Sequence, residues 1–226
     1  MAKDFTYGHQ EGRELTADEL ALHKRYADKS RMRSIPLPEN VQTQPVDVRV
    51  HRETNSIYLC DVGRSLVEIY GINGLLERTI NDAVMTASQP TALAVASDGT
   101  MIIGSYFNHC LQMYEPNDAV DGATTKPYKQ YKLGTPGTQL DQFYNPSGIV
   151  MDPADGCVYV CDRGNSRIKV LRPDGICDRM IQLALKGQKK AFLDPVRIAV
   201  QSGHEQIVCI IGTGDALCFV SKYAQG

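Results

Sequence analysis

Four segments of the 226-residue chain begin with proline and continue as alternating apolar positions: Pro45–Val50, Pro90–Val95, Pro146–Met151 and Pro195–Val200. A period of two puts Val48, Leu93, Ile149 and Ile198 on equivalent strand positions, with Val50, Val95, Met151 and Val200 two residues further on. Proline at the first strand position costs no ladder hydrogen bond. A second block starts 12, 11, 12 and 12 residues after each proline, at Ile57, Met101, Val158 and Ile207. These blocks end at Tyr70, Tyr114, Leu171 and Val220; all are 14 residues long and align without gaps. Each holds two apolar stretches about a turn, as in Val158–Cys161, Asp162–Ser166 and Arg167–Leu171. That is the pattern of a hairpin. The repeat unit is therefore strand a, then b and c, with Asp98-Gly99 and Asp155-Gly156 turning a into b in the middle units.

A fourth strand, d, is expected at Glu77–Ile80, Tyr128–Leu133 and Asp178–Ile181. After Val220 too few residues remain for another, but Ile35 precedes Pro45 by the ten residues that separate Ile80 from Pro90. The strand around Arg33 and Ile35 is expected to complete the last unit. A four-stranded unit with two apolar faces cannot cover itself, whereas units stacked around an axis can. The expected fold is all-β: a small β-propeller of about four four-stranded blades over residues 31–226, the N-terminal strand closing the last blade. An open β-sandwich from the same strands is the competing architecture.

Residues 1–30 read as a polar arm. Thr16 can cap a helix, Glu19 can return the capping bond, and Leu15 can pack on Leu20. The helix is expected over about 17–29, with a narrow apolar stripe. It can lie on the propeller or grip a neighbouring subunit.

Composition narrows the function classes. Twenty-four Lys and Arg against 26 Asp and Glu give a net charge of −2, unlike a wholly basic nucleic-acid coat. No apolar run is long enough to span a membrane, so no membrane insertion is expected. Seven cysteines, without a CxxC, and a start lacking a secretory apolar stretch fit a reduced intracellular protein, cytoplasmic by expectation. Alternation places His51 and His204 on the a-to-b rim and His109 on the opposite one, so they cannot share a metal. No Ser-His-Asp, P-loop or dinucleotide pattern is visible.

The third unit resembles the NHL repeat, a Pro-Gly-aliphatic strand followed by an aliphatic-Val-x-Asp segment and Asn-x-Arg-Ile. Pro146, Gly148, Asp162, Asn165, Arg167 and Ile168 carry the resemblance, and the other units follow it mainly in hydrophobic spacing. The Asp position reads Asp61, Ser105 and Ile211 elsewhere, and the Arg position Leu66, Cys110 and Ala216. The resemblance implies a propeller that binds proteins or single-stranded RNA, as in the tripartite-motif ligases. A smaller group of such proteins are metal-using enzymes, among them the peptidylglycine amidating lyase. No RING, B-box or coiled-coil segment is visible, so ligase activity is not expected.

The rim that carries the b-to-c turns and d-to-a connections holds the candidate binding residues Arg64, Tyr106, Phe107, Asn108, Phe143, Tyr144, Arg163, Asn165, Arg167, Lys189 and Lys190. Residues 160–200 hold nine Lys or Arg against four Asp or Glu. Cations beside aromatic rings suit an acidic protein surface or a phosphate chain with stacked bases. Asp162 and Arg167 can equally form a pair inside the blade. The expected function is a non-catalytic interaction module, a scaffold or accessory subunit with protein partners and no cofactor. The alternatives are a single-stranded RNA-binding propeller and, behind it, a metal-dependent lyase or hydrolase.

Overall fold

Each sequence unit folds into its own antiparallel sheet, with its strands in chain order. A computed structural model describes residues 42–81, 83–116, 128–183, 194–200, 206–211 and 216–221. Contacts divide the chain into Met1–Pro36 and Leu37–Gly226, and all described residues belong to the second unit. The first blade is β1 (Pro45–His51), β2 (Ser56–Asp61), β3 (Leu66–Gly71) and β4 (Leu76–Ile80). A short helix, α1 (Ala83–Ser88), leads to the second: β5 (Pro90–Val95), β6 (Met101–Ser105), β7 (Cys110–Pro116) and β8 (Tyr128–Leu133). A strap with a two-residue parallel pair, β9 (Thr135–Pro136) and β10 (Gln142–Phe143), precedes the third. The third blade is β11 (Pro146–Met151), β12 (Val158–Asp162), β13 (Arg167–Leu171) and β14 (Cys177–Gln182). The fourth shows β15 (Pro195–Val200), β16 (Gln206–Ile211) and β17 (Ala216–Ser221) among the described residues. The expected closing strand at Arg33 and Ile35 and the helix at 17–29 lie outside the described residues, as do Lys189 and Lys190.

All four a strands start at their proline, and all four a–b ladders break register just after it: at Pro45/Asp47, Pro90/Ala92, Pro146/Ile149 and Pro195/Arg197. Proline has no N–H to give the ladder, and a bulge there adds local twist.

Strand alternation sends successive side chains of the middle blades to opposite neighbours. Met101 and Ile103 join Tyr58, Cys60, Val67 and Ile69 in the core between blades one and two. Ile102 joins Ile149, Val158 and Val160 between blades two and three. Tyr159, Cys161, Ile168 and Val170 meet Ile198 between blades three and four. Strands β6, β12 and β13 are consequently buried along their whole length. Each buried aliphatic side chain contributes on the order of 1.5–3 kcal/mol of transfer free energy. Helix α1 drops Met85 into the first of these cores. Its six residues are too few to show helical periodicity, which is why the sequence does not announce it.

Strands β1, β5, β11 and β15 are sheet edges that lie side by side in that order. Edge strands present unpaired peptide groups, and side chains cover several of them here. Asp47 Oδ2 accepts from the Leu93 N–H at 2.9 Å. Ser147 Oγ donates to Pro195 O at 2.9 Å. Arg49 Nη2 donates to Ile149 O, and Arg197 Nη2 to Val46 O, each at 3.0 Å.

The chain entering a blade is stitched to that blade's b–c turn. The Val62 N–H donates to Gln44 O at 3.0 Å, and the Gly164 N–H to Tyr144 O at 2.8 Å. Asp61 and Asp162 return the exchange by accepting from the Gln44 and Tyr144 N–H groups. The approach is close enough that only glycine fits. A Cβ on Gly63 would stand 2.3 Å from Gln42 O, and one on Gly164 would stand 2.2 Å from Tyr144 Cδ1 and 2.9 Å from Tyr144 O. Gly164→Ala is expected to lower stability by about 1–3 kcal/mol, because a backbone carbonyl must shift. Urea unfolding followed by circular dichroism checks this; an unchanged midpoint would mean that the turn relaxes freely.

Candidate functional site

The b–c turns of the first three blades share one backbone shape. Ser65, His109 and Ser166 occupy the ninth place of each 14-residue block, and all three have φ 53° in the left-handed region. The turn contents differ sharply, and so do the roles of the rim residues.

In blade one the turn is internally neutralised. Arg64 Nε donates to Asp61 Oδ2 at 2.8 Å, while Nη1 and Nη2 grip Glu68 at 2.7 and 2.8 Å. The Tyr70 hydroxyl donates to Glu68 at 2.7 Å. The Arg64 side chain is only 11% exposed, so its charge is spent inside the blade rather than offered to a partner. The Arg64 fork and the Tyr70 hydroxyl outweigh burial and hold the Glu68 carboxyl below the usual carboxylate range. At Asp61 burial opposes ionisation, yet the Gln44 N–H and the Arg64 donors still lower it. The phenol of Tyr70 is pushed up to about 12 by burial and by Glu68.

In blade three the cations hold the strap. Arg167 Nε donates to Asp162 Oδ2 at 2.6 Å, and its Nη atoms reach the carbonyls of Thr138, Gln139 and Gln142. Asn165 Nδ2 donates to Gly137 O and to Asp162, both at 2.9 Å. Lys169 Nζ donates to Gln142 O and sits 3.9 Å from the Phe143 ring centroid. Phe143, expected at the binding surface, is 2% exposed and packs in the core between blades two and three. Arg167 is likewise buried. The strap folds over both and takes up their contacts.

The accessible part of the rim lies where blades two and three meet. Tyr106 and Phe107 pack edge to face at 5.2 Å, and Arg163 lies 5.6 Å over the Tyr106 ring. Arg163 is neutralised by Asp194, with Nη2 at 2.6 Å from Oδ2 and Nε on the other oxygen. His109 stacks on Tyr144 at 4.4 Å and 11°. Its Nδ1 accepts from the Asn145 N–H at 3.0 Å, so the neutral ring carries its proton on Nε2. Asn145 Nδ2 donates to Tyr106 O, and Asn108 Nδ2 to Ala87 O. Phe107 remains 60% exposed and Tyr144 45%. Blades one and three keep glycine, Gly63 and Gly164, at the place Phe107 takes in blade two. The repeat geometry therefore explains the glycines and leaves Phe107 without a structural role of that kind.

Sequence reasoning placed these side chains on one rim but missed their pairing. The His109–Tyr144 stack and the Arg163–Asp194 fork join residues 35 and 31 positions apart. Asp194 stands next to Pro195, and its closeness to the previous b–c turn was the available signal. Among the described residues no three His, Cys, Asp or Glu side chains converge as a metal-ligand set. Among them, too, no helix is long and apolar enough to cross a membrane.

Stacked antiparallel sheets with their edge strands turned to a common axis define a β-propeller repeat protein, and solved structures agree. A catalytically inactive variant of virginiamycin B lyase from Staphylococcus aureus, crystallised with quinupristin, aligns at TM-score 0.54 and 14% identity over 81% of this chain and 57% of its own. Hydrazine synthase from Kuenenia stuttgartiensis aligns at 0.58 and 15% over 84% and 49%. The WD40 repeats of RRP9 align at 0.57 and 13% over 84% and 53%. The chain thus spans about half the length of the structures it matches. The NHL repeat family model matches residues 143–171, which span the first three strands of the third blade. No curated protein matches the sequence.

Two outcomes test this electrostatic layout. Arg64→Met leaves Asp61 and Glu68 buried and unpaired, and is expected to cost about 3–5 kcal/mol at pH 7. Part of that loss should return as pH falls toward 5, because protonation removes the unpaired charge; paired chemical denaturation curves check it. Lys169 is the second case. Burial lowers its ammonium from 10.5 to about 8. Between pH 8 and 10.5 the unfolded state binds the extra proton, so this group makes stability rise with pH there. Burial raises the thiols of Cys110 and Cys177, and takes Tyr58 and Tyr159 to about 12, which acts oppositely above pH 9–10. The Lys169 contribution is isolated as the difference between wild type and Lys169→Met, which should lose the rise between pH 8 and 9.

Proposed function

We propose that this chain is a non-catalytic protein-interaction module, a scaffold or accessory subunit, that docks its partner on the aromatic patch where blades two and three meet. The carrying observation is Phe107. It replaces the glycine of the neighbouring turns and stands 60% exposed beside Tyr106. Exposed aromatic side chains that are already fixed by stacking lose little entropy on binding, which is why they dominate interface energetics. The WD40 repeats of RRP9 share the fold. The lyase neighbour shows that the same fold also carries chemistry, so the patch and not the fold supports a docking role.

The charge balance of the described rim residues favours a protein over a nucleic acid. Arg64, Arg163 and Arg167 each face a carboxylate, so the surplus positive charge that a phosphate chain needs is largely cancelled where the aromatic residues lie.

Affinity purification of the full chain after nuclease treatment provides the test. Stoichiometric protein partners should persist at raised salt with wild type, and retention should fall at least about tenfold with Phe107→Ala/Tyr144→Ala. Loss of all binding on nuclease treatment would overturn the reading in favour of single-stranded RNA. Stoichiometric bound metal together with turnover would overturn it in favour of an enzyme.

A further inference from the structure

A cleft of about 310 Å³ opens beside strand β1, away from the aromatic rim residues. Pro45, Val46, Val48 and Leu59 form its apolar wall, and Asp47, Arg49 and Arg197 supply its charges. These charges are not balanced. Asp47 is committed: Oδ1 accepts from the Val48 N–H at 3.0 Å and from Arg49 Nη1 at 2.7 Å, and Oδ2 accepts from the Leu93 N–H. Arg49 is committed in turn, since it also donates to Val48 O and Ile149 O. Arg197 is different. It is exposed, its Nη2 rests on Val46 O, and among the described residues no carboxylate pairs with it. The Val46 bond anchors one corner of the guanidinium and leaves the planar fork held in place. Val48, 52% exposed on the same strand, is an apolar surface without a partner among the described residues.

We propose that this cleft binds a carboxylate carried on a short aliphatic group, the acid pairing with Arg197 and the aliphatic part lying on Val48 and Leu59. One surplus guanidinium suits a planar monoanion through two parallel N–H···O bonds, whereas a dianionic phosphate would call for more donors. The apolar wall adds a preference for a branched aliphatic neighbour over a bare anion. Two sources share this chemistry: a free branched-chain acid and the C-terminus of a polypeptide ending in an aliphatic residue. The site is independent of the rim patch, and its failure leaves the docking proposal untouched.

The full chain is titrated by ligand-observed NMR and calorimetry with 3-methylbutanoate, with acetyl-Gly-Leu as the free acid, and with acetyl-Gly-Leu amide. At least one acid should bind, the amide should bind at least about tenfold more weakly, and affinity should fall with ionic strength. Binding of 3-methylbutanoate alone assigns the site to a small acid, and binding of the dipeptide acid alone assigns it to a chain terminus. Arg197→Gln should weaken the acid at least about tenfold while Arg197→Lys retains part of it. Val48→Glu, which keeps the backbone carbonyl that Arg49 bonds and removes no arginine, should abolish binding by setting a fixed carboxylate in the cleft. The proposal is overturned if neither acid binds, if the amide binds as well as the acid, or if both Arg197→Gln and Val48→Glu bind like wild type.

Discussion

A sheet that is apolar on both faces has no side it can turn to water, and the architecture of this chain follows from that constraint. Strands β6 and β13 carry buried residues at every position, so the sheets that contain them need a neighbour on each side. One sheet above and one below is a stack, and the right-handed twist of each sheet makes the stack fan around an axis. Among the described residues three separate inter-blade cores result. The unit of stability is the interface between two blades.

Fanning creates a second problem at the axis, where four edge strands face one another with open peptide groups. Asp47, Arg49, Ser147 and Arg197 cover some of those groups from β1, β11 and β15. These polar residues interrupt otherwise apolar strands, and the axis is the reason they can. At the outer end of the turns the same logic recurs. Asp61 and Asp162 collect N–H groups from the entering chain, while Arg64 and Arg167 neutralise them. Among the described residues most arginine charge on the rim is consequently structural, and the exposed aromatic residues Phe107 and Tyr144 lie where blades two and three meet.

Much of the fold was legible in the residues. Every a strand begins at its proline, and the expected strand at Tyr128–Leu133 has the observed bounds. Alternation is a local property of a strand, and turns place glycine, aspartate and asparagine within a few residues of where they act. The rim assignment of Tyr106, Phe107, Asn108, Tyr144, Arg163 and Asn165 was legible for the same reason. Accessibility was not. Phe143 and Arg167 look like surface binding residues until the strap at 134–144 is laid across them, and nothing in a two-residue parallel pair announces itself beforehand.

The repeat, the strand content and the rim to which each turn belongs can be read from the residues alone, because these follow from periodicity and chain order. Packing in three dimensions sets which cations are neutralised, which rings stay open to solvent and, among the described residues, which guanidinium faces no carboxylate. Those outcomes depend on partners 30 or more positions away, as Asp194 is from Arg163 or Tyr144 from His109. Long-range pairing is set by how blades pack, and a local pattern carries no record of it.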